Sequence, residues 1–228
     1  MRHIGVVACS AEGAALCYRT ICAEAPARLG AHVHPEITLH TPSLAEYVAA
    51  LDANDLDSVA SLMLRSADIL AGAGADFLIC PDNTIHQAME RVRPKSPLPW
   101  LHIADVTVDH AARQDMTSPG ILGTASLVRS TLYPDAAQKR GLTAIRPPDT
   151  IIEDVNRIIF DELVPGHVRS DSRRTVSGYI RDLEQLGCDS VILGCTELPL
   201  LIGPEDSALP ILDTTRLLAR AALDEALS

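Results

Sequence analysis

Two short segments carry side chains able to move a proton. In LGCTELPLL, residues 193–201, Cys195 follows an apolar run and a glycine. Thr196, Glu197 and the backbone N–H groups of the following turn suit an anion or a thiolate, whereas the packing alternative makes Cys195 a small hydrophobe. In CPDNTIH, residues 80–86, Asp82, Asn83 and Thr84 suit an Asx-type turn into a helix. Asp82 is a candidate catalytic base, an anchor for a substrate ammonium group or a plain helix cap, and Asn83 and Thr84 are candidate caps or donors to a substrate carboxylate. His86, one turn on, either orients the site, titrates near it or serves structure alone. A third pair of segments, ACSAEG at 8–13 and GTAS at 123–126, offers small hydroxyl residues and glycine at turns, as a carboxylate-binding nest requires. Ser10, Thr124 and Ser126 are the candidates there, although a helix cap explains any one of them alone.

Composition removes whole classes of chemistry. The six cysteines, at 9, 17, 22, 80, 188 and 195, include no C-x-x-C and no paired Cys/His spacing, so neither a metal site nor a disulfide framework is expected. Cys80 and Cys188 lie in or at the start of strand patterns and read as packing residues, and Cys17 and Cys22 fall in the first helix. The only lysines are Lys95 and Lys139, neither in a buried pattern, which disfavours a lysine aldimine. A formal charge of −11, from 30 acidic against 19 basic side chains, leaves no basic face for nucleic acid. No apolar run approaches the roughly 20 residues of a spanning helix. The start, MRHIGVVACS, enters a strand pattern at once, so neither a membrane partner nor a secretory signal is expected and a cytoplasmic location is.

The elements that must position these residues alternate along the 228-residue chain, which at 47% hydrophobic and 21% charged is large enough for one mid-sized domain or two small lobes. Strands are predicted at 4–8, 77–80, 100–103, 120–123 and 191–194, with helices between them, a pattern that predicts an α/β fold with parallel strands. One helix is predicted over 55–73, its Leu56, Val59, Leu62, Met63 and Leu70 at helical spacing, and another over 173–186, stopping at Gly187. A repeat runs through this order: GADFLICPDN at 74–83 aligns without gaps on GCDSVILGCT at 187–196, and near the same offset GVVAC at 5–9 resembles GILGT at 120–124. The repeat predicts two similar α/β lobes, each a mostly parallel sheet flanked by helices, related by a pseudo-twofold axis. The expected division is 1–112 plus 209–228 against 113–208. In this superposition Asp82 falls on Cys195, each beyond the carboxyl end of a parallel strand, where open α/β sheets place ligands.

GVVACSAEG, CPDNTIH, LHIAD, GILGTAS, FDELVPG, GCDSVILGCTELPLL and ILDTTRLLARAAL together resemble, in order and over almost the whole chain, the aspartate/glutamate racemase family. The resemblance implies a cofactor-independent enzyme of two α/β lobes, with a site at the lobe interface, that uses two cysteines facing the substrate's α-carbon, and it implies a dimer. Cys195 matches the second cysteine. Asp82 stands where the first is expected, followed by the family's Asn83, Thr84 and His86. The lysine that relatives acting on dicarboxylic amino acids carry after the E-L-x-x-G helix end is replaced in this chain by His167, and no arginine lies between Arg28 and Arg65.

The resemblance thus implies an amino-acid racemase or epimerase with Cys195 and Asp82 as opposed acid and base. Ser10, Asn83, Thr84, Thr124, Ser126, Thr196, Glu197 and His167 would bind a small amino-acid or carboxylate substrate, with no metal and no cofactor. Two alternatives stand beside it: a one-cysteine isomerase or decarboxylase of a small carboxylic acid, and a catalytically silent ligand-binding relative.

Overall fold

Apolar runs too short for a helix become strands, and the computed structural model, which describes residues 1–228, contains seven of them. They are β1 (Ile4–Val7), β2 (Ile37–His40), β3 (Phe77–Ile79), β4 (Trp100–Leu101), β5 (Pro119–Leu122), β6 (Ser190–Leu193) and β7 (Ile211–Asp213). Every pairing is parallel, and the strands form one sheet ordered β2-β1-β3-β4 and a second ordered β5-β6-β7. All residues of β1, β3, β5 and β6 are buried, as in strands covered on both faces. The predicted strand at 100–103 stops at Leu101. There the His102 Nδ1 accepts the Asp105 N–H at 3.4 Å and caps the helix Ile103–Arg113.

The chain divides into two compact units. One comprises Met1–Val106 with Thr215–Ser228, the other Thr107–Thr214. The divisions predicted at 112 and 208 thus fall at 106 and 214, inside the helix Ile103–Arg113 and at the start of the helix Thr214–Leu227. An unbroken helix carries no glycine or proline to mark such a boundary.

In the first unit the helix Leu56–Gly72 lays Val59, Met63, Ala67 and Leu70 on one face of the sheet. Cys17 and Ile21 of the helix Ala11–Glu24 cover the other, together with Leu218 and Ala222. Each fully buried Leu or Ile in these layers contributes about 1.5–3 kcal/mol. Asp55 caps the first of these helices, its Oδ1 accepting the Asp57 and Ser58 N–H groups, and Gly74 at φ +91° turns the chain towards β3. In the second unit Ile151, Val155 and Ile158 of the helix Asp149–Ile158 share a core with Val176, Ile180 and Leu183 of the helix Ser170–Gln185 and with Val191 and Leu193 of β6.

The repeat seen in sequence is a repeat of topology. Residue 145 makes an isolated parallel bridge to Gly120 on the free side of β5, with the Ile121 N–H donating to the Ile145 carbonyl at 3.0 Å. The second unit therefore has the neighbour order of the first, with its counterpart of β2 shrunk to one bridge ahead of Pro147 and Pro148. The repeated aspartate does the same work twice. Asp76 accepts the His3 N–H at 2.6 Å, and Asp189 accepts those of Thr117 and Ser118 at 2.5 and 3.0 Å, so each ties the entrance of one central strand to its neighbour.

Candidate functional site

In the sheet order β2-β1-β3-β4 the direction of winding reverses between β1 and β3, the crevice where doubly wound sheets bind ligands. Ser10 follows β1 there, and Asp82, Asn83 and Thr84 follow β3. Ser10 caps the helix Ala11–Glu24, its Oγ accepting the Gly13 N–H at 3.2 Å. Asp82 is half-buried and its Oδ1 accepts the Ile85 N–H at 3.1 Å, so this carboxylate caps the short 3₁₀ turn Thr84–Ala88. Asn83 is buried and Thr84 half-buried. His86 is buried, and burial, with His102 alongside, pushes its ring well below the usual histidine range.

The second unit repeats the arrangement at β5 and β6. Thr124 caps the helix Ala125–Arg129, its Oγ1 accepting the Leu127 N–H at 3.3 Å. Gly123 and Gly194 let the two strand ends approach: a Cβ on Gly194 would lie 2.5 Å from Leu127 Cδ2 and 3.1 Å from the Leu122 carbonyl. Cys195 follows, 8% exposed, and its Sγ donates to Glu197 Oε2 at 2.9 Å. The Thr196 hydroxyl donates to the same oxygen at 2.8 Å. Glu197 is 5% exposed, so this is a buried carboxylate whose neighbours on the turn are a thiol and a hydroxyl.

The structure thus brings Ser10, Asp82, Asn83 and Thr84 to the strand ends of the first unit and Thr124, Cys195, Thr196 and Glu197 to those of the second. Ser126 also follows β5, but its side chain is exposed. His167 lies in an exposed loop, its backbone N–H donating to the Glu162 carbonyl at 2.7 Å. Burial raises the thiols of Cys80 and of Cys188, the latter to about 11, in keeping with packing residues. Three further residues at these ends had no signal in the sequence pattern. Tyr47 is fully buried in one core cluster with Cys9 and Cys80, its hydroxyl near Ser66. Burial, then the neighbouring Cys80, Cys9 and Asp82, raise its pKa. Asn156 accepts the Ala125 N–H at 2.8 Å, and Asp213 ends β7 opposite Leu193. Asp213 stands in the ILDTT segment that carried only the resemblance.

Two α/β units of parallel strands each end their central strands in small, hydroxyl and acid residues. The chain belongs to the Asp/Glu/Hydantoin racemase family, whose model matches residues 4–222. A candidate Asp/Glu racemase of known structure from Yersinia pestis is 33% identical, with a TM-score of 0.92 over 100% of both chains. The broad specificity amino-acid racemase RacX of Bacillus subtilis (strain 168) is 26% identical over 172 residues, 74% of this chain and 73% of that protein. The glutamate racemase of Aquifex aeolicus (strain VF5) is 24% identical over 69% of this chain, a match spanning 61% of that enzyme. No helix is long and apolar enough to cross a membrane.

Proposed function

We propose that the protein is a cofactor-independent amino-acid racemase or epimerase in which Asp82 and Cys195 serve opposite faces of one α-carbon. The observation that carries this reading is the Cys195 thiol, held with its proton directed to the buried Glu197 carboxylate at 2.9 Å. The capped Asp82 carboxylate is then the resting base and the thiol the resting acid. Asp82 takes the α-proton from one face, and Cys195 delivers its own to the other, leaving a carboxylic acid and a thiolate; the reverse direction exchanges the roles. Negative charge that builds on the substrate carboxylate is met by donors of the strand-end turns, from Ser10, Asn83, Thr84, Thr124, Ser126 and Thr196. His167, in place of a lysine, and the stretch without arginine after β2 favour substrates without an acidic side chain, because each lost charge-assisted hydrogen bond is worth about 1.5–3 kcal/mol. The working form under this reading is a cytoplasmic homodimer, which sedimentation of the purified protein checks.

Incubation with a panel of L- and D-amino acids in deuterium oxide tests the reaction. Exchange of the α-proton with loss of optical rotation is expected for at least one neutral amino acid; absence of exchange for every member overturns it. The Ile85 N–H on Asp82 favours a second reading, because a carboxylate engaged by its own turn is a weaker base. In that case the protein is a one-cysteine isomerase or decarboxylase of a small carboxylic acid, and Asp82→Asn leaves turnover intact while Cys195→Ala abolishes it. A silent binding relative instead shows thermal stabilisation by a carboxylate with no turnover.

A further inference from the structure

His86 occupies an uncommon setting for a residue beside a proton-transfer group. Its ring is 1% exposed and sits between two main-chain groups: Nδ1 lies 2.6 Å from the Asp82 carbonyl oxygen, and Nε2 lies 3.4 Å from the Ile103 amide nitrogen. A carbonyl only accepts and an amide N–H only donates, so both bonds form together in one state of the ring, the neutral tautomer with its proton on Nδ1. The His102 ring stands edge-on at 4.7 Å between centroids, and Arg93 and Asp105, 3.5 Å from each other, are the remaining charged groups that act on His86 besides Asp82. Protonation at Nε2 would lose the Ile103 bond and bury a charge beside His102, which itself accepts from the Asp105 N–H. The ring is thus built not to titrate. What it does hold is the turn: the carbonyl it binds belongs to the residue whose carboxylate caps that turn through Ile85, and the amide it binds opens the helix Ile103–Arg113.

We propose that His86 is a positioning residue, whose permanently neutral Nδ1–H ring fixes the direction of the Asp82 carboxylate by bracing the Asp82 carbonyl against the first amide of the helix at Ile103. The proposal gives Asp82 its geometry and rests on the racemase reading only for its kinetic consequence. The Asn side chain places an N–H donor close to the position of Nδ1, and the Leu side chain fills similar space without one.

Two measurements test it. In protein labelled with ¹⁵N on histidine, the His86 ring is expected to show a protonated Nδ1 and an unprotonated Nε2 at every pH from 5 to 8; an Nε2–H ring, or titration within that range, overturns the proposal. In protein labelled with ¹³C on aspartate, the Asp82 carboxyl resonance is expected to move in His86→Leu and to return towards its original place in His86→Asn. A resonance unmoved in His86→Leu overturns it, whether or not the protein turns over an amino acid. With an active wild type, His86→Leu is expected to lower kcat for α-proton exchange by about 10²-fold with KM within about threefold, as a displacement of about 1 Å at a reacting group does. His86→Asn recovers most of that loss. A His86→Leu protein that melts earlier yet keeps kcat per folded molecule reduces His86 to a structural part and overturns the proposal. A wild type with no exchange counts against the racemase reading and leaves the two resonance measurements to decide the role of His86.

Discussion

The turn after β3 and the turn after β6 are built on one frame and carry different chemistry. Position for position, Asp82 stands against Cys195, Asn83 against Thr196, Thr84 against Glu197 and His86 against Pro199. Each turn contains a carboxylate, Asp82 three residues past the end of β3 and Glu197 four past the end of β6, but the two are used differently. That of Asp82 binds the Ile85 N–H of its own turn, whereas that of Glu197 receives the Cys195 thiol and the Thr196 hydroxyl. One turn offers its carboxylate to a backbone N–H, the other to a thiol and a hydroxyl. The comparison teaches that the fold decides where a group stands, while the neighbours within its own turn decide which hydrogen bonds it makes.

The largest test exchanges the two groups' roles. Cys195→Ala and Asp82→Asn are each expected to lower the rate of α-proton exchange by about 10²–10⁴-fold, the range for a positioned acid or base. If Asp82→Asn costs nothing, the turns differ in kind and only the second is catalytic. Next comes the close approach at the end of β6. Gly194→Ala drives a methyl group into Leu127 and the Leu122 carbonyl and is expected to cost about 1–3 kcal/mol in denaturant unfolding, where the first unit tolerates Pro81.

Acid sensitivity separates the turns a third way. The His86 ring is pushed below its unfolded value of about 6.5, so its neutral form contributes stability that is complete above that pH and declines as pH falls below it. The slope approaches about 1.4 kcal/mol per pH unit for one proton. Thermal unfolding between pH 7 and 5 should therefore fall less steeply in His86→Asn than in the wild type. The smallest effect concerns the two strand-tying aspartates. Burial alone would raise Asp189, but the N–H groups of Thr117 and Ser118 and the hydroxyls of Ser190 and Thr117 hold it below the usual carboxylate range. Its contribution is present above about pH 3.9 and fades as pH falls through its lowered folded value. At neutral pH Asp189→Asn is expected to cost about 1 kcal/mol, reduced by its partial exposure. Asp76→Asn, at an exposed position with a single partner, should cost less.

The central strands were legible because burial on both faces demands unbroken apolar runs, as in IGVV and SVIL. The edge strands β2 and β7 were not: ITLH is half-buried, and ILD has three residues and no period to read. The positions of Asp82 and Cys195 beyond their strands came from the repeat, since 113 residues separate two copies of one strand and turn. The partners of those residues were less legible. Whether Asp82 caps its turn, and whether Cys195 meets Glu197, depends on side-chain rotamers that spacing does not encode. Ser10 and Thr124 were read equally as caps or as ligand donors, and their N–H partners three residues on show the caps. Tyr47 was invisible because an apolar stripe gives no sign of which hydroxyl will be buried.

The single bridge at Ile145 has a consequence for how this molecule avoids its own kind. A parallel sheet with an open flank offers a row of unpaired amides and carbonyls to any passing chain, the template from which aggregates grow. On the β5 side the bridge is one residue long, and after Arg146 the following two positions, Pro147 and Pro148, have no amide hydrogen to offer. A foreign strand that docked there would lose two ladder donors in succession, so covalent structure itself works against sheet extension through this flank.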